Sequence, residues 1–563
     1  MANRPAVSHA SLLAATAIAL TGIPAAAQDG GPDFDVSRQI GPDPFLPEPA
    51  QSLLPSLKVA EVIGWQDGQA PKVPDGLIVT PYATGLANPR TVHTLPNGDV
   101  LVVQSRGPSG KPQNRPKDFI RGWIMAMAHG GGGGEQKPSN IVTLLRDTNR
   151  DGTVDERHDL LTGLNSPFGV AFADGTLYVA ATDAILAYPY ELGQTAIAAQ
   201  PRVLTPLPGG PIDHHWTKDL ALSPDGRHLY ASVGSNSNIA ENGLEAEKGR
   251  AAIWQVDRQT GAARVFASGL RNPNGLTVHP ETGELYTVVN ERDELGPNLV
   301  PDYMTSVKEG AFYGWPWSYY GQHVDPRVHP PRPDMVEKAL PPDYALSSHV
   351  AALGLTFSYG SALPEKYANG AFIGEHGSWN RSFFNGYKVV YVPFEDGKPA
   401  GKAQDVVTGF IDGDKAHGRP VGVTIDGTGA LLVADDAGNT VWRVASADGN
   451  VSSQPIGSDG QRLGGSANRP AGVVGEQAGQ PAGGAGDDEA AGPAAPAAAT
   501  PADGANGGRE DAPAASADEQ RSREQPAAPT SDEAPRPSQT AIAPATLPEG
   551  TLETGTTPPN APQ

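Results

Sequence analysis

The chain has 563 residues, a formal net charge of −22 and no cysteine. Its length is ample for a large core, and the missing cysteines exclude disulfides, thiolate metal sites and thiol catalysis. The acidity excludes a polyanion such as DNA or RNA as partner, so any anionic ligand has to be met by local arginines working against the overall field.

Residues 1–27 read as an export signal: Arg4, the apolar stretch "SLLAATAIALTGI", and the small residues of "PAAAQ" with cleavage after Ala27. The expected destination is the periplasm or the outside. Neither this stretch nor any later one is long enough for an integral membrane span. Residues 28–74 form an N-terminal extension.

From 75 to 445 one phrase recurs six times. A polar segment rich in Gly, Asn and Pro leads into an apolar strand, a Gly-bearing turn and a second apolar strand. The copies begin at 85, 163, 214, 269, 349 and 418, as in "GLNSPFGVAFADGTLYVAAT" and "GRPVGVTIDGTGALLVADD". "PNG", "ADG", "PDG" and "GTG" between apolar runs are hairpin signals, and "AAIWQVD" and "YKVVYVPF" supply further strands. Each copy reads as a four-stranded blade, and six of them predict an all-β, six-bladed β-propeller. A β-sandwich is the plainer alternative. In a propeller, the segments that precede the inner hairpins converge at the mouth of a central channel.

The first copy is followed by "DTNRDGTVDERH", Asp147 to His158, which matches the opening of an EF-hand loop but has His158 where the bidentate Glu belongs. An Asx-rich turn explains it equally well. The third copy opens with "DHHW". There His215 is a candidate general base, since imidazole titrates near ~6.5, with His214 to orient it and Asp213 to add negative charge. The plainer reading has one histidine capping a turn and the other packing at the channel wall. Arg271 and Asn272 follow in "GLRNPNG", and the same blade position carries Arg90 and Arg419 in two other copies. Guanidiniums gathered at one mouth repel unless an anion joins them, and their forked donors suit carboxylates; otherwise each pairs with an acid of a neighbouring blade. In "NERDELGPNLVPDYMTSVKEGAFYGWP", Glu291, Asp293, Glu294 and Asp302 lie close in sequence. They form either an oxygen-rich site for a hard cation such as calcium or an acidic solvent-facing loop.

From 446 to 563 the chain is rich in Ala, Pro, Gly, Asp and Glu, with no Phe, Tyr or Trp. Such a segment cannot bury enough apolar surface to offset chain entropy, and it reads as a disordered acidic tail.

Together "DHHWTKDLALSPDG", "GLRNPNGL", "NERDELG", "EGAFYGWP" and "GRPVGV" resemble the glucose/sorbosone dehydrogenase family; "GEHGSWNRS" and the loop after "NE" look closest to its L-sorbosone branch. The resemblance covers about residues 75 to 445. It implies a six-bladed propeller that uses pyrroloquinoline quinone (PQQ) with calcium to oxidise sugars or sugar-derived aldehydes, passing electrons to an acceptor such as a quinone or cytochrome. It puts the catalytic base at His215, with His214 where the soluble glucose enzymes have an Asp. Arg271, Asn272 and Arg419 become implied PQQ contacts, with His417 where a second arginine often stands and Arg381 in place of a cofactor-binding lysine. Asp293, Glu294 and Tyr313 become calcium ligands through main-chain carbonyls, joined by Asp302. Trp216, Trp379 and Tyr319 are candidates either to wall the sugar pocket or to pack in the propeller core. The family's Gln before the second-blade strand is Leu164 here; with the Asp and the lysine also changed, glucose itself is not implied. Two other functions compete, a calcium-dependent propeller lactonase or esterase and a non-catalytic propeller binding protein.

Overall fold

The computed structural model describes residues 34–51, 57–108, 140–210 and 214–462. The expected signal, Asp213 and the tail beyond 462 lie outside the described residues. The chain divides into two compact units, Met1–Gly479 and Gln480–Gln563, and all described residues belong to the first.

That unit is built almost wholly of antiparallel strands; helix among the described residues is limited to turns such as Leu244–Glu247 and Pro333–Val336. Five sheets follow one another along the chain, beginning with the strands Pro89–Thr94, Val170–Ala173, Leu220–Leu222, Asn272–Val278 and Ala352–Phe357. A sixth begins at Pro420–Ile425 and takes its outermost strand, Leu77–Ala83, from the N-terminal side of all the others. The expected strand segments are present as Thr176–Ala180, Ala252–Asp257, Lys388–Glu395 and Leu431–Asp435. Their near-continuous apolar character follows from burial on both faces: Leu431 to Asp435 are buried throughout.

The first strand of each sheet packs against the first strand of the next, and that of the sixth packs against that of the first. The close approach is a matter of side-chain size. A Cβ on Gly354 would lie 2.1 Å from the carbonyl of Val421, and one on Gly422 would lie 2.6 Å from the carbonyl of Arg90. These two glycines let the fifth sheet meet the sixth and the sixth meet the first.

The flanking segments are tied to this body. Ile40–Gly41 adds an edge strand to the fourth sheet. Trp65 stacks on His417, meets Trp442 edge-on and donates its indole N–H to Asp435 (2.7 Å). At the other end, the compositional boundary at 445 falls short, because described structure continues to Arg462. Ser452 donates its N–H to Thr428, Gln461 reaches Thr277 on the fourth sheet's first strand (3.0 Å), and Gly460 lies against His93 on the first sheet's. Gln461 and Arg462 are buried through polar bonds, which a count of aromatic residues does not register.

Candidate active site

A cavity of about 300 Å³ opens where the first strands of the third, fourth and fifth sheets begin, within the usual range for small-molecule sites. The third sheet contributes His214 and His215, and the fourth contributes Arg271, Asn272 and the acids of the 290–302 segment. The fifth contributes His349, Ala351, Trp379 and Asn380.

His215 is held from behind. Its Nδ1 lies 2.9 Å from the carbonyl of Ser235 and 3.0 Å from its hydroxyl. A carbonyl only accepts, so Nδ1 carries the proton and Nε2 is the acceptor nitrogen of the neutral ring. Lys218, buried beneath, donates to the carbonyl of Trp216 (3.1 Å), and His214 meets His215 edge-to-face at 4.5 Å. Gly234 explains how His215 and Asn272 come together: a Cβ there would be 2.6 Å from Cβ of His215 and 2.4 Å from Oδ1 of Asn272.

On the opposite wall Asp302 is buried, and its two oxygens accept the N–H groups of Glu291 and Ala351, both at 2.7 Å. Burial pushes its carboxyl up to about 7. Asp293 accepts from Asn380 and from Arg271 (3.3 Å). Glu291 uses Oε2 to hold Arg292 (3.0 Å), while its buried Oε1 has no partner among the described residues. Oδ1 of Asn272 is likewise buried and unpartnered there. His349 accepts at Nδ1 from Asn380 (3.2 Å) and faces the carbonyl of Gly296 with Nε2 (3.4 Å); burial lowers its pKa to about 4.

Of the ten residues expected at the site, the structure brings five to this cavity: His215, Arg271, Asn272, Asp293 and Asp302. The other five lie elsewhere. Arg381 is fully buried behind the wall, donating to the carbonyl of Ser348 (2.9 Å) and to Asn298 (2.5 Å). Arg419 ties the carbonyls of His376 and Gly377 (3.0 and 2.9 Å), fixing the loop that leads to Trp379. His417 packs on Trp65 and reaches the carbonyl of Gly64 (3.2 Å). Tyr313 belongs to the apolar core, donating its hydroxyl to Ser306 (2.6 Å). Glu294 turns its carbonyl to Arg327 (3.1 Å).

Of the expected calcium ligands, Asp293 and Asp302 line the cavity; the carbonyls of Asp293 and Glu294 both accept from Arg327, both oxygens of Asp302 hold main-chain N–H groups, and the hydroxyl of Tyr313 is turned to Ser306. The Asp147 loop is a turn between Ile141–Arg146 and Glu156–Leu161, in which Asp147 caps the N–H groups of Asp151 and Gly152 (3.1 and 2.7 Å). Among the described residues no three His, Asp or Glu side chains form a metal-binding group.

Of the expected aromatic walls, Trp379 lines the cavity, Trp216 packs on Phe168, and Tyr319 is buried beneath Arg292. The expectation did not include His349, Asn290 or Asn380. Their signal was present in "SSHVAAL", "VVNER" and "SWNRS", the polar residues that border inner strands. Arg90 follows the plainer of its two expected readings and pairs with an acid of a neighbouring sheet, Asp436 (2.5 Å); the expectation did not include His376, which meets the same carboxylate at 3.0 Å.

A family model described as TrAA12-like matches residues 136–307 and 335–447, just over half of the chain. An uncharacterized protein of Borreliella burgdorferi is 29% identical over 292 residues, 50% of this chain and 76% of that protein. A pyrroloquinoline quinone-dependent pyranose dehydrogenase of Coprinopsis cinerea is 26% identical over 229 residues, 32% of this chain and 30% of the enzyme. Among solved structures, the holo form of that species' pyranose dehydrogenase PQQ domain superposes with a TM-score of 0.53 at 20% identity, covering 68% of this chain and 98% of the domain. The calcium structure of the Trichoderma reesei family AA12 enzyme gives 0.55 at 19%, covering 70% and 99%.

Proposed function

The chain belongs to the TrAA12-like family, and from that premise we propose that it is a PQQ-dependent oxidoreductase acting on sugars or sugar-derived aldehydes, with His215 as its general base. The observation that carries the reading is His215 itself. It stands in the cavity with Nδ1 tied to Ser235, which makes Nε2 the accepting nitrogen of the ring. We read the closed succession of six sheets as a six-bladed propeller, with the cavity at one end of its axis. The export signal expected from residues 1–27 supports a periplasmic location for the mature protein.

The cavity fits a flat polar cofactor on its hydrogen-bonding groups. The unpartnered Oδ1 of Asn272 needs an N–H or O–H donor, and so does the buried Oε1 of Glu291 in the same cavity. PQQ, when bound, supplies a quinone that accepts a hydride as two electrons and a proton's worth of hydrogen. The chain does the rest. His215 takes the substrate's hydroxyl proton at Nε2 while the C–H hydride leaves the same carbon, so a lactone or acid results and charge balances. Ser235 keeps the imidazole in the required tautomer, and its carbonyl stabilises the imidazolium that forms.

The test uses the full chain loaded with PQQ and a panel of aldoses and sugar aldehydes, read by dye reduction. His215→Ala is expected to lower kcat by about 10²–10⁴-fold with PQQ still bound. Turnover that persists in His215→Ala, or ester hydrolysis by the chain without PQQ, would sink the proposal.

A further inference from the structure

We infer that Arg271 is a positioning residue which fills, with its own guanidinium, an oxygen cage in the cavity wall, so that the order of the 290–293 segment does not depend on a divalent cation. The resemblance makes Arg271 a fork for the cofactor's carboxylates. Its bonds point the other way.

A guanidinium has five N–H groups, and each of the five is spent on an oxygen of the chain. Nε donates to the carbonyl of Asn238 (3.3 Å). Nη1 donates to the carbonyls of Asn290 (3.2 Å) and Glu291 (2.7 Å). Nη2 donates to Oδ1 of Asn238 (2.9 Å) and to the carboxylate of Asp293 (3.3 Å). Arg271 is only 3% exposed. Three carbonyls, an amide oxygen and a carboxylate around one buried positive charge are the donors that a hard cation such as calcium collects. Here the cation is covalently part of the wall.

The cage is closed by its neighbours. Asn238 returns a bond to the carbonyl of Asp293 (3.1 Å) and accepts from that residue's N–H (2.9 Å), and Trp315 donates to the carbonyl of Asn238 (2.9 Å). On its outer side the same loop is held by Arg327, through the carbonyls of Asp293 and Glu294, and by Arg292 on Glu291. Three guanidiniums thus brace one short acidic loop, of which Asn290, Glu291 and Asp293 line the cavity. Withdrawing Arg271 leaves a carboxylate and inward-facing carbonyls without their counter-charge, which is costly in a buried place.

The experiment compares wild type with Arg271→Ala by thermal unfolding of the full chain without PQQ, in EDTA and in calcium chloride. PQQ affinity is measured in parallel by tryptophan quenching. The variant is expected to melt lower by roughly 5 °C or more without any cofactor, and calcium is expected to return part of that loss with a larger increment than it gives wild type. A variant that melts with wild type and loses only PQQ affinity would assign Arg271 to the cofactor and overturn the inference. So would a calcium increment equal to that of wild type. Where the alanine variant does not fold, Arg271→Lys, which offers three N–H groups to five oxygens, gives the same comparison. The inference rests on the proposed function only in the choice of PQQ as a probe; the unfolding arm needs no quinone, so the two failures read differently.

Discussion

At the scale of single residues, Gly234 carries more of the site than its size suggests. It follows the strand His228–Val233 and precedes Ser235, which bonds to His215, and both His215 and Asn272 press on the space where a side chain would be. Gly234→Ala is therefore expected to keep the fold while displacing the two groups. A shift of about 1 Å in a reacting group costs about 10²-fold in rate, so the kcat of Gly234→Ala should fall on that order with the melting temperature changed little; unchanged kcat would remove Gly234 from this role. The place of His215, Arg271 and Asn272 at the cavity was legible in sequence because they stand before or at the start of a strand in a repeated phrase. Arg271 nevertheless joins Arg381, Arg419 and His417 in tying main-chain carbonyls. A guanidinium suits a carbonyl as well as a carboxylate, and residue type alone does not say which is nearer. The ring of Tyr313 packs in the apolar core, since a tyrosine beside a Gly-Trp-Pro turn is as useful there as at a mouth.

Among the elements, the strand pairs were readable because turn chemistry and uninterrupted apolar runs mark them locally, as in Thr176–Ala180 and Leu431–Asp435. What joins distant parts was not. Nothing local announces that Leu77–Ala83 completes the last sheet, that Trp65 packs on His417, or that the segment to Arg462 is ordered. These contacts depend on partners hundreds of positions away. The last of them gives a direct prediction. A chain ending at Arg462 should unfold at the same temperature as the whole protein, whereas one ending at 450 should melt several degrees lower. The shorter one loses the bonds of Gln461 to Thr277 and of Arg462 to the carbonyl of Asp426 (2.7 Å), and it uncovers His93. Equal melting of the two truncations would show that these contacts contribute nothing.

For the molecule as a whole, buried titratable groups set an asymmetric response to pH. Burial lowers His93, His279, His349 and His376 to about 4, and it raises Asp219 and Asp435 to about 6, Asp302 to about 7 and Glu375 to about 8. A histidine whose folded pKa is depressed adds stability as pH rises from about 4 to its unfolded value near ~6.5; a carboxyl whose folded pKa is raised removes stability as pH rises from near ~4 to that folded pKa. The two sets oppose each other in acid. Above about 6.5 the histidine contribution is complete, while Asp302 and Glu375 continue to lose protons. The melting temperature is accordingly expected to fall between pH 6.5 and 8.5. Glu375→Gln should raise it at pH 8.5 but not at pH 5.5, and a uniform effect at both would refute the assignment to this carboxyl.

The segment ending in Gln461 has a consequence for traffic. It lies across the far ends of the first strands, against Thr277 and His93, while the cavity opens at their beginnings. A substrate that reacts at His215 as proposed would use the end at which the cavity opens, since among the described residues the other end is occupied by this segment. Two reactants that need the same interior in turn then queue, the second docking only after the first has gone, and parallel lines in double-reciprocal kinetics are the signature of that alternation.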